Sequence, residues 1–186
     1  MHTLIISGGT IDTDFALDLL KNEKYDHIIG VDGALKFCKE QNIVPTRIVG
    51  DFDTLDPEIL TWYQTNTQIE IRQFNPVKDA TDTQIAIELA MELGSRKITL
   101  IGGTGTRLDH VLGNIQTLYL PFAKGIDCRI VDAHNRIRLV SGELHLKMTE
   151  QWGKYVSLIP FTTDVEGVDL IGFKYPLEKF NFTVLG

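Results

Sequence analysis

The sequence predicts an α/β fold: an N-terminal α/β domain with a parallel sheet, followed by a small antiparallel β-sandwich domain. Over the first two thirds of the chain, short apolar runs alternate with segments of helical spacing, which is typical of a parallel sheet. After residue 132 the helical spacing stops, and glycine-containing turns separate short β-like stretches. We therefore expect domains at residues 1–132 and 133–186 of this 186-residue chain.

Six apolar runs in the first domain have the length and composition of buried strands. They lie at residues 3–7, 27–32, 47–51, 69–74, 97–101 and 127–132. The clearest helix between them is predicted at residues 81–93, where Ile85, Leu89 and Leu93 recur every four positions after a capping-box pattern that begins at Thr81. A second helix is predicted at residues 108–118, with one apolar face formed by Leu108, Val111, Leu112, Ile115 and Leu118.

The second domain shows only strand-like patterns. Short strands are predicted at residues 137–140, 144–148, 155–161 and 168–173, and a further strand begins at residue 180. No helix of ten residues fits this part of the sequence.

Composition and charge exclude several classes of function. The chain has 18 basic and 25 acidic residues, and its net charge of −7 argues against a nucleic-acid partner, whose phosphates are bound by Lys and Arg. We expect no membrane partner, because no apolar run approaches the roughly 18 residues of a membrane span and the N-terminus lacks the basic flank of a signal peptide. Cys38 and Cys128 show no metal-site spacing, so we expect two reduced core thiols in a cytoplasmic protein.

Glycines, carboxylates and two basic residues follow five of the predicted strands. Ligands bind beyond the carboxyl ends of the strands in an open parallel sheet, so these loops are expected to converge on one site. Its candidate residues are Gly8, Gly9, Asp32, Gly33, Asp51, Asp53, Lys78, Asp79, Thr81, Asp82, Gly102, Gly103, Thr104, Gly105, Arg107, Asp109 and His110.

Residues 102–105, here called the glycine loop, follow a strand and precede a helix. Backbone amides and a helix N-terminus in such a place suit a phosphate group. The loop is not a Walker motif, and Leu108 stands where the dinucleotide fingerprint requires its third glycine. A tight turn without a ligand is the alternative.

Asp51 and Asp53 flank Phe52 directly after a strand. Strand alternation places both carboxylates on one side, and carboxylates with substrate phosphates are the ligands that Mg²⁺ prefers. The alternative is a pair of loop or cap aspartates. For Asp79 and Asp82 the alternative is electrostatic stabilisation of a helix start.

Arg107 and Asp109 also have a structural interpretation, as an ion pair. His110 fits a helix-face or core position better than the role of a catalytic base.

Several of these motifs occur in a specific order along the chain. They are Asp32-Gly33-Ala34, Gly50-Asp51-Phe52-Asp53-Thr54-Leu55, Lys78-Asp79-Ala80-Thr81-Asp82-Thr83, and the glycine loop followed by Arg107-Leu108-Asp109-His110 and Asn114. In this order and spacing they resemble the thiamine pyrophosphokinase family. The resemblance implies a homodimer with active sites at the subunit interface, which transfers the pyrophosphoryl group of ATP to the hydroxyl of thiamine with Mg²⁺ and releases AMP.

The resemblance also implies roles for individual residues. By motif match, the metal-facing residues are Asp51, Asp53, Asp79 and Asp82. The expected catalytic residues are these four together with Arg107 and Asp109. The expected nucleotide-binding residues are Gly8, Gly9, Asp32, Gly33, Lys78, Thr81, Gly102, Gly103, Thr104, Gly105, Arg107, His110 and Asn114.

The sequence departs from the family pattern in two places. Thr106 stands where the segment that borders the nucleotide phosphates usually has its second glycine. The family continues with a Ser-Asn-containing segment and further strands that help to form the thiamine pocket. No such segment lies between Tyr175 and Gly186, so the β domain is expected to be shortened.

In-line transfer of a phosphoryl group depends on positioning and on electrostatic stabilisation. We expect Lys78 and Arg107 to offset phosphate charge, and either Asp82 or Asp109 to accept the proton of the thiamine hydroxyl. Two rival functions remain. One is a haloacid-dehalogenase-like phosphatase, although Leu55 occupies its Thr or Val position. The other is a nucleotide- or thiamine-binding module without turnover.

Overall fold

A seven-stranded sheet forms the centre of the first part of the chain in the computed structural model, which describes residues 1–53, 55–73 and 80–184. The strands are β1 His2–Ile6, β2 His27–Val31, β3 Arg47–Gly50, β4 Glu70–Gln73, β5 Lys97–Ile101, β6 Asp127–Val131 and β7 Arg136–Arg138. Their order is β4-β3-β2-β1-β5-β6-β7, and only the β6–β7 pairing is antiparallel. The predicted parallel sheet is confirmed, and the ends of its six strands lie within one residue of the predictions wherever those ends are described.

The order of the strands creates a switch point between β1 and β5. From β1 the chain adds β2, β3 and β4 on one side and then crosses to place β5 on the other side. In folds of this kind, a ligand crevice lies at the carboxyl ends of the strands on either side of such a point, here β1 and β5. The central strands are buried, with Leu4, Ile5 and Ile6 fully excluded from solvent.

In the part of the chain that the structure describes, six helices cover the sheet. They are α1 Thr13–Asn22, α2 Ala34–Glu40, α3 Pro57–Asn66, α4 Asp82–Glu92, α5 Leu108–Thr117 and α6 Tyr119–Ala123. Helix α4 begins as predicted, because the Thr81 hydroxyl accepts a hydrogen bond from the Gln84 amide at 3.1 Å. Its buried face packs Ala86 and Leu89 into the main core.

Helix α5 differs from the simplest expectation for an amphipathic helix. Leu108 and Leu112, on the predicted apolar face, are 72% and 62% exposed. Ile115 packs against the main core, and Leu118 just after the helix is buried. Within α5 the buried residue is Asn114.

Both cysteines are buried and free, as predicted. Burial raises the pKa of the Cys38 and Cys128 thiols to about 12. None of the described helices is long and apolar enough to cross a membrane.

The chain divides into two compact units, Met1–His145 and Leu146–Gly186. The first unit extends beyond residue 132 because β7 pairs with β6. In the second unit, β8 Asp164–Leu170 and β9 Leu177–Thr183 form an antiparallel pair with an irregular register. Of the antiparallel β structure predicted for this region, the described residues of the second unit form one pair of strands.

Two of the strands predicted in this region do not form. Residues 144–147 and 155–161 have no regular structure, and Met148–Glu150 forms a 3₁₀ turn. An apolar alternation produces a strand only where a partner supplies hydrogen bonds and covers its apolar side. Tyr155 and Ile159 are instead more than 80% exposed.

Candidate functional site

A cleft of about 710 Å³ lies at the switch point of the sheet. All five predicted loops contribute to it through described residues. Its lining residues are Ser7, Gly8, Gly9, Thr10, Val31, Asp32, Asp51, Ala80, Thr81, Asp82, Thr83, Gly102, Gly103, Thr104, Gly105, Thr106, Arg107, Asp109, His110, Val111, Gly113 and Asn114.

The loop after β1 and the glycine loop after β5 are held together by backbone hydrogen bonds. The Gly9 amide donates to the Gly102 carbonyl at 2.9 Å, and the Thr10 amide donates to the Thr104 carbonyl at 2.8 Å. A Cβ atom at Gly9 would lie 2.4 Å from both carbonyl oxygens. Gly102 has a φ of +68°, and a Cβ atom there would lie 2.0 Å from the Ser7 carbonyl oxygen. Glycine is therefore required at both positions.

The carbonyl groups of the glycine loop bond to the protein. The side-chain amide of buried Asn114 donates to the Gly103 carbonyl at 2.9 Å. Three consecutive carbonyl oxygens, at residues 102–104, are thus held by protein donors. Such a loop is well ordered before a ligand arrives and can present its amide groups to an anion.

Three carboxylates converge beside the loops. Oxygen atoms of Asp32, Asp51 and Asp53 all lie within 4.8 Å of one another. The turn that brings Asp51 and Asp53 together places Phe52 at a φ of 60°, with its side chain buried in a smaller core cluster that also contains Leu35. The Asp53 amide donates to the Asp51 carboxylate at 3.2 Å.

The surroundings of Asp53 shift the pKa of its carboxyl group. Partial desolvation and the neighbouring charges of Asp51, Asp32 and Asp82 raise the pKa of its carboxyl group. The donor set contains only carboxylate oxygens, which is the chemistry that a hard divalent cation such as Mg²⁺ prefers. The residues therefore fit a magnesium ion.

Asp32 is predicted to bind nucleotide, and the structure places it in the lining of the cleft and in the carboxylate cluster with Asp51 and Asp53. Its position directly after a strand was the available signal. Asp82 lines the cleft and acts electrostatically on Asp53, but it is not one of the three clustered carboxylates. Lys78 and Asp79 lie outside the described residues.

The start of helix α4 is fixed to the end of β1. The buried hydroxyl groups of Ser7 and Thr83 are hydrogen bonded at 2.7 Å, and Thr81 caps the helix. This arrangement places Asp82, the first residue of α4, at the cleft. Gly33 begins α2 and is not among the lining residues of the cleft.

Arg107 and Asp109 form an ion pair at the mouth of the cleft. Arg107 Nε lies 3.3 Å from Asp109 Oδ1, and both side chains are more than 60% exposed. The Arg107 guanidinium lowers the pKa of Asp109, with a smaller contribution from the His110 amide. His110 is exposed in the first turn of α5, so it is a helix-face residue at the rim of the cleft.

Comparisons with known proteins agree on one family. The model described as "Thiamin pyrophosphokinase, catalytic domain" matches residues 16–130, and that described as "Thiamin pyrophosphokinase, vitamin B1 binding domain" matches residues 142–186. The chain is 35% identical over 162 residues to the thiamine pyrophosphokinase of Bacillus subtilis, an alignment that covers 84% of this chain and 72% of the relative. It is 25% identical to thiamine pyrophosphokinase 1 of Oryza sativa, covering 76% of this chain and 56% of that relative.

Solved structures give the same result. A crystal structure of thiamine pyrophosphokinase from Bacillus subtilis superposes with a TM-score of 0.85 and 31% identity, covering 100% of this chain and 86% of that one. A structure of the enzyme from Geobacillus thermodenitrificans superposes with a TM-score of 0.74 and 32% identity, covering 98% of this chain and 83% of that one.

Proposed function

The chain belongs to the thiamine pyrophosphokinase family, and we propose that the cleft at the β1–β5 switch point binds ATP and Mg²⁺ for that reaction. The enzyme transfers the pyrophosphoryl group of ATP to the hydroxyl of thiamine, giving thiamine diphosphate and AMP. This proposal rests on one observation. The three clustered carboxylates, the glycine loop and the loop after β1 meet at one crevice.

Asp32, Asp51 and Asp53 are the proposed ligands of Mg²⁺, with Asp82 beside them. When bound, Mg²⁺ supplies positive charge that offsets the charge of the phosphate oxygens. The clustered carboxylates repel one another without a counter-charge, as the raised pKa of Asp53 indicates. Asp79 remains a further proposed ligand, on the motif match.

The glycine loop and the loop after β1 are proposed to bind the phosphates through backbone amides. Lys78 and Arg107 are proposed to offset the phosphate charge. Arg107 is suited to this because its pairing with Asp109 is exposed, and exposed ion pairs contribute little to stability. Arg107 can therefore exchange Asp109 for a phosphate with little loss of free energy.

Asp82 is the better candidate for accepting the thiamine hydroxyl proton. Asp109 is held by Arg107, which lowers its pKa and weakens it as a base. Asp82 instead stands at the N-terminus of α4 beside the carboxylate cluster.

A homodimer with active sites at the subunit interface is also part of the proposal. Leu108, Leu112 and Tyr119 expose an apolar face on α5 and α6, and each is more than half exposed. A face of this kind on a chain of this size suits association with a second copy. The B1-binding match at residues 142–186 is proposed to contribute to thiamine binding and dimerisation. A cytoplasmic location is proposed on the two free cysteines.

The test is to incubate the protein with MgATP and thiamine and to measure both products. Equal amounts of AMP and thiamine diphosphate are expected. Release of inorganic phosphate without AMP would instead indicate a phosphatase, and ATP binding without AMP release would indicate a binding module.

A further inference from the structure

Asp132 lies directly after β6 and has its carboxylate surrounded by hydrogen-bond donors. Its Oδ1 accepts from the His134 amide at 2.8 Å, the Asn135 amide at 2.7 Å and the Asn135 side chain at 3.0 Å. Its Oδ2 accepts from the Asn135 side chain at 3.1 Å and from the Thr104 hydroxyl at 2.9 Å. The first four bonds hold the Asp132 side chain within its own turn, and the fifth reaches the glycine loop.

This set of donors requires an ionised carboxylate. Burial raises the pKa of Asp132, but hydrogen bonds from His134, Asn135 and Thr104 outweigh that effect and lower it. An ionised carboxylate accepts at both oxygens, which a neutral amide cannot do. Asp132 therefore provides a rigid acceptor for the Thr104 hydroxyl.

Thr104 is the point where the glycine loop is most closely held. Its hydroxyl bonds to Asp132, its carbonyl accepts from the Thr10 amide at 2.8 Å, and the preceding Gly103 carbonyl is bound by Asn114. Thr104 lines the cleft, whereas Asp132 is not among the lining residues. The hydrogen bond between Asp132 and the Thr104 hydroxyl therefore links Asp132 to the cleft.

We propose that Asp132 is a positioning residue for the nucleotide, which orders the glycine loop through the Thr104 hydroxyl. This inference rests on the proposed role of the loop in binding the phosphates of ATP. A loop that is already ordered loses less conformational entropy when the ligand binds, so the hydrogen bond raises affinity for ATP without touching it. We expect the affinity for ATP to change and the affinity for thiamine to stay the same, because the hydrogen bond holds only the glycine loop.

The experiment uses two variants that remove the same bond from opposite ends. Thr104→Val removes the hydroxyl at nearly constant shape, and Asp132→Ala removes the acceptor. Each is expected to raise the KM for ATP about tenfold, with kcat and the KM for thiamine changed less than about threefold. Because both variants remove the Thr104–Asp132 bond, the double variant is expected to raise the KM for ATP no more than the more impaired single variant does.

Two further variants separate positioning from general stability. Thr104→Ser keeps a hydroxyl and is expected to restore the KM for ATP. Thr117→Val removes a hydroxyl that donates to the Gly113 carbonyl at 2.8 Å, a bond of similar length outside the loop, and is expected to leave the KM for ATP unchanged. A lowered Tm with an unchanged KM for ATP in Thr104→Val would assign a structural role and overturn the proposal.

The proposal can be tested even if the proposed reaction fails. Should the wild-type chain form no thiamine diphosphate, calorimetric titration with MgATP replaces the KM as the measurement. Affinity that falls about tenfold in Thr104→Val supports the positioning role. Equal affinity in Thr104→Val and wild type, or no ATP binding by either, overturns it.

Discussion

The two ends of the same parallel sheet differ in how their charged side chains are arranged. At the amino-terminal end, Glu23 is bound by both Arg129, with two contacts of 2.8 Å, and Lys97 at 3.3 Å. At the carboxyl end, carboxylate oxygens of Asp32, Asp51 and Asp53 lie within 4.8 Å of one another. The amino end therefore pairs opposite charges at Glu23, whereas the carboxyl end brings like charges together in an arrangement that suits a cation.

The carboxyl groups at the two ends respond oppositely in their pKa values. Burial raises the pKa of Glu23, but the charges of Arg129 and Lys97 outweigh it, so the net change is downward. Desolvation and like charge raise the pKa of Asp53. Ionisation of Glu23 thus stabilises the fold as pH rises, while ionisation of Asp53 opposes it. The ion pairs of Glu23 thus stabilise the fold, whereas the clustered carboxylates at the carboxyl end are proposed to bind a cation.

The largest expected effect comes from the carboxyl end. Asp51→Asn and Asp53→Asn are each expected to lower kcat by about a thousandfold or more, because each removes a proposed ligand of Mg²⁺. The measurement is AMP release at saturating MgATP and thiamine. The matched control is Asp18→Asn, an exposed aspartate on α1 that is not among the lining residues of the cleft.

The same variants give a second readout that does not depend on turnover. Without Mg²⁺, Asp53→Asn is expected to unfold at an equal or higher Tm, because it removes like-charge repulsion. Added Mg²⁺ is expected to raise the Tm of the wild type more than that of the variant. Near-normal turnover and an equal Mg²⁺ response would show that the two ends of the sheet do not differ in function.

The next effect concerns the interlocked loops. Gly9→Ala places a Cβ atom 2.4 Å from two carbonyl oxygens, so the loop after β1 and the glycine loop must move apart. We expect at least a tenfold loss of ATP affinity and a destabilisation of about 1–3 kcal/mol. Calorimetric titration and denaturant unfolding measure the two effects. Gly113→Ala, where a Cβ atom meets nothing within 4 Å in helix α5, is the stability control and is expected to stabilise slightly.

At the amino-terminal end, substitution is expected to change stability and not activity. Glu23→Gln leaves Arg129, whose side chain is 12% exposed, without its carboxylate partner. We expect a loss of about 2 kcal/mol in the free energy of unfolding, with kcat unchanged. The control is Glu40→Gln, which breaks an exposed pair with Lys36 and is expected to cost less than about 0.5 kcal/mol. A loss of activity in Glu23→Gln at full stability would contradict the separation of roles.

The sequence alone is sufficient to predict the strands of the parallel sheet and the edge of the sheet where the cleft lies. Apolar runs and the rule for ligand position depend on local pattern and chain direction only. Asp32 could not be assigned to the carboxylate cluster because its approach to Asp51 depends on the pairing of β2 with β3, in which Val31 lies beside Val49. The role of Asp132 could not be predicted for a similar reason, since its hydrogen bond to Thr104 joins the ends of two different strands.

Other differences between prediction and structure arise because the periodicity of apolar residues does not show which part of the protein covers them. The spacing of Leu108 and Leu112 shows that they share a helix face, but the structure leaves that face exposed. In the second unit, apolar alternation at residues 155–161 meets no partner strand, and no strand forms. A local pattern predicts an element only where tertiary contacts complete it.

The smallest expected effect is the pH dependence at the amino-terminal end. Burial and the charges of Lys97 and Arg129 outweigh the attraction of Glu23 and lower the pKa of His2 to about 4. Between that value and the ordinary 6.5, the unfolded chain binds a proton that the folded chain does not, so stability falls as pH falls through this window. We expect a loss of about 1–2 kcal/mol from pH 7 to pH 4.5 that is reduced in His2→Gln, measured by urea unfolding. An identical pH profile in the variant would show that the amino end is not where the fold loses stability in acid.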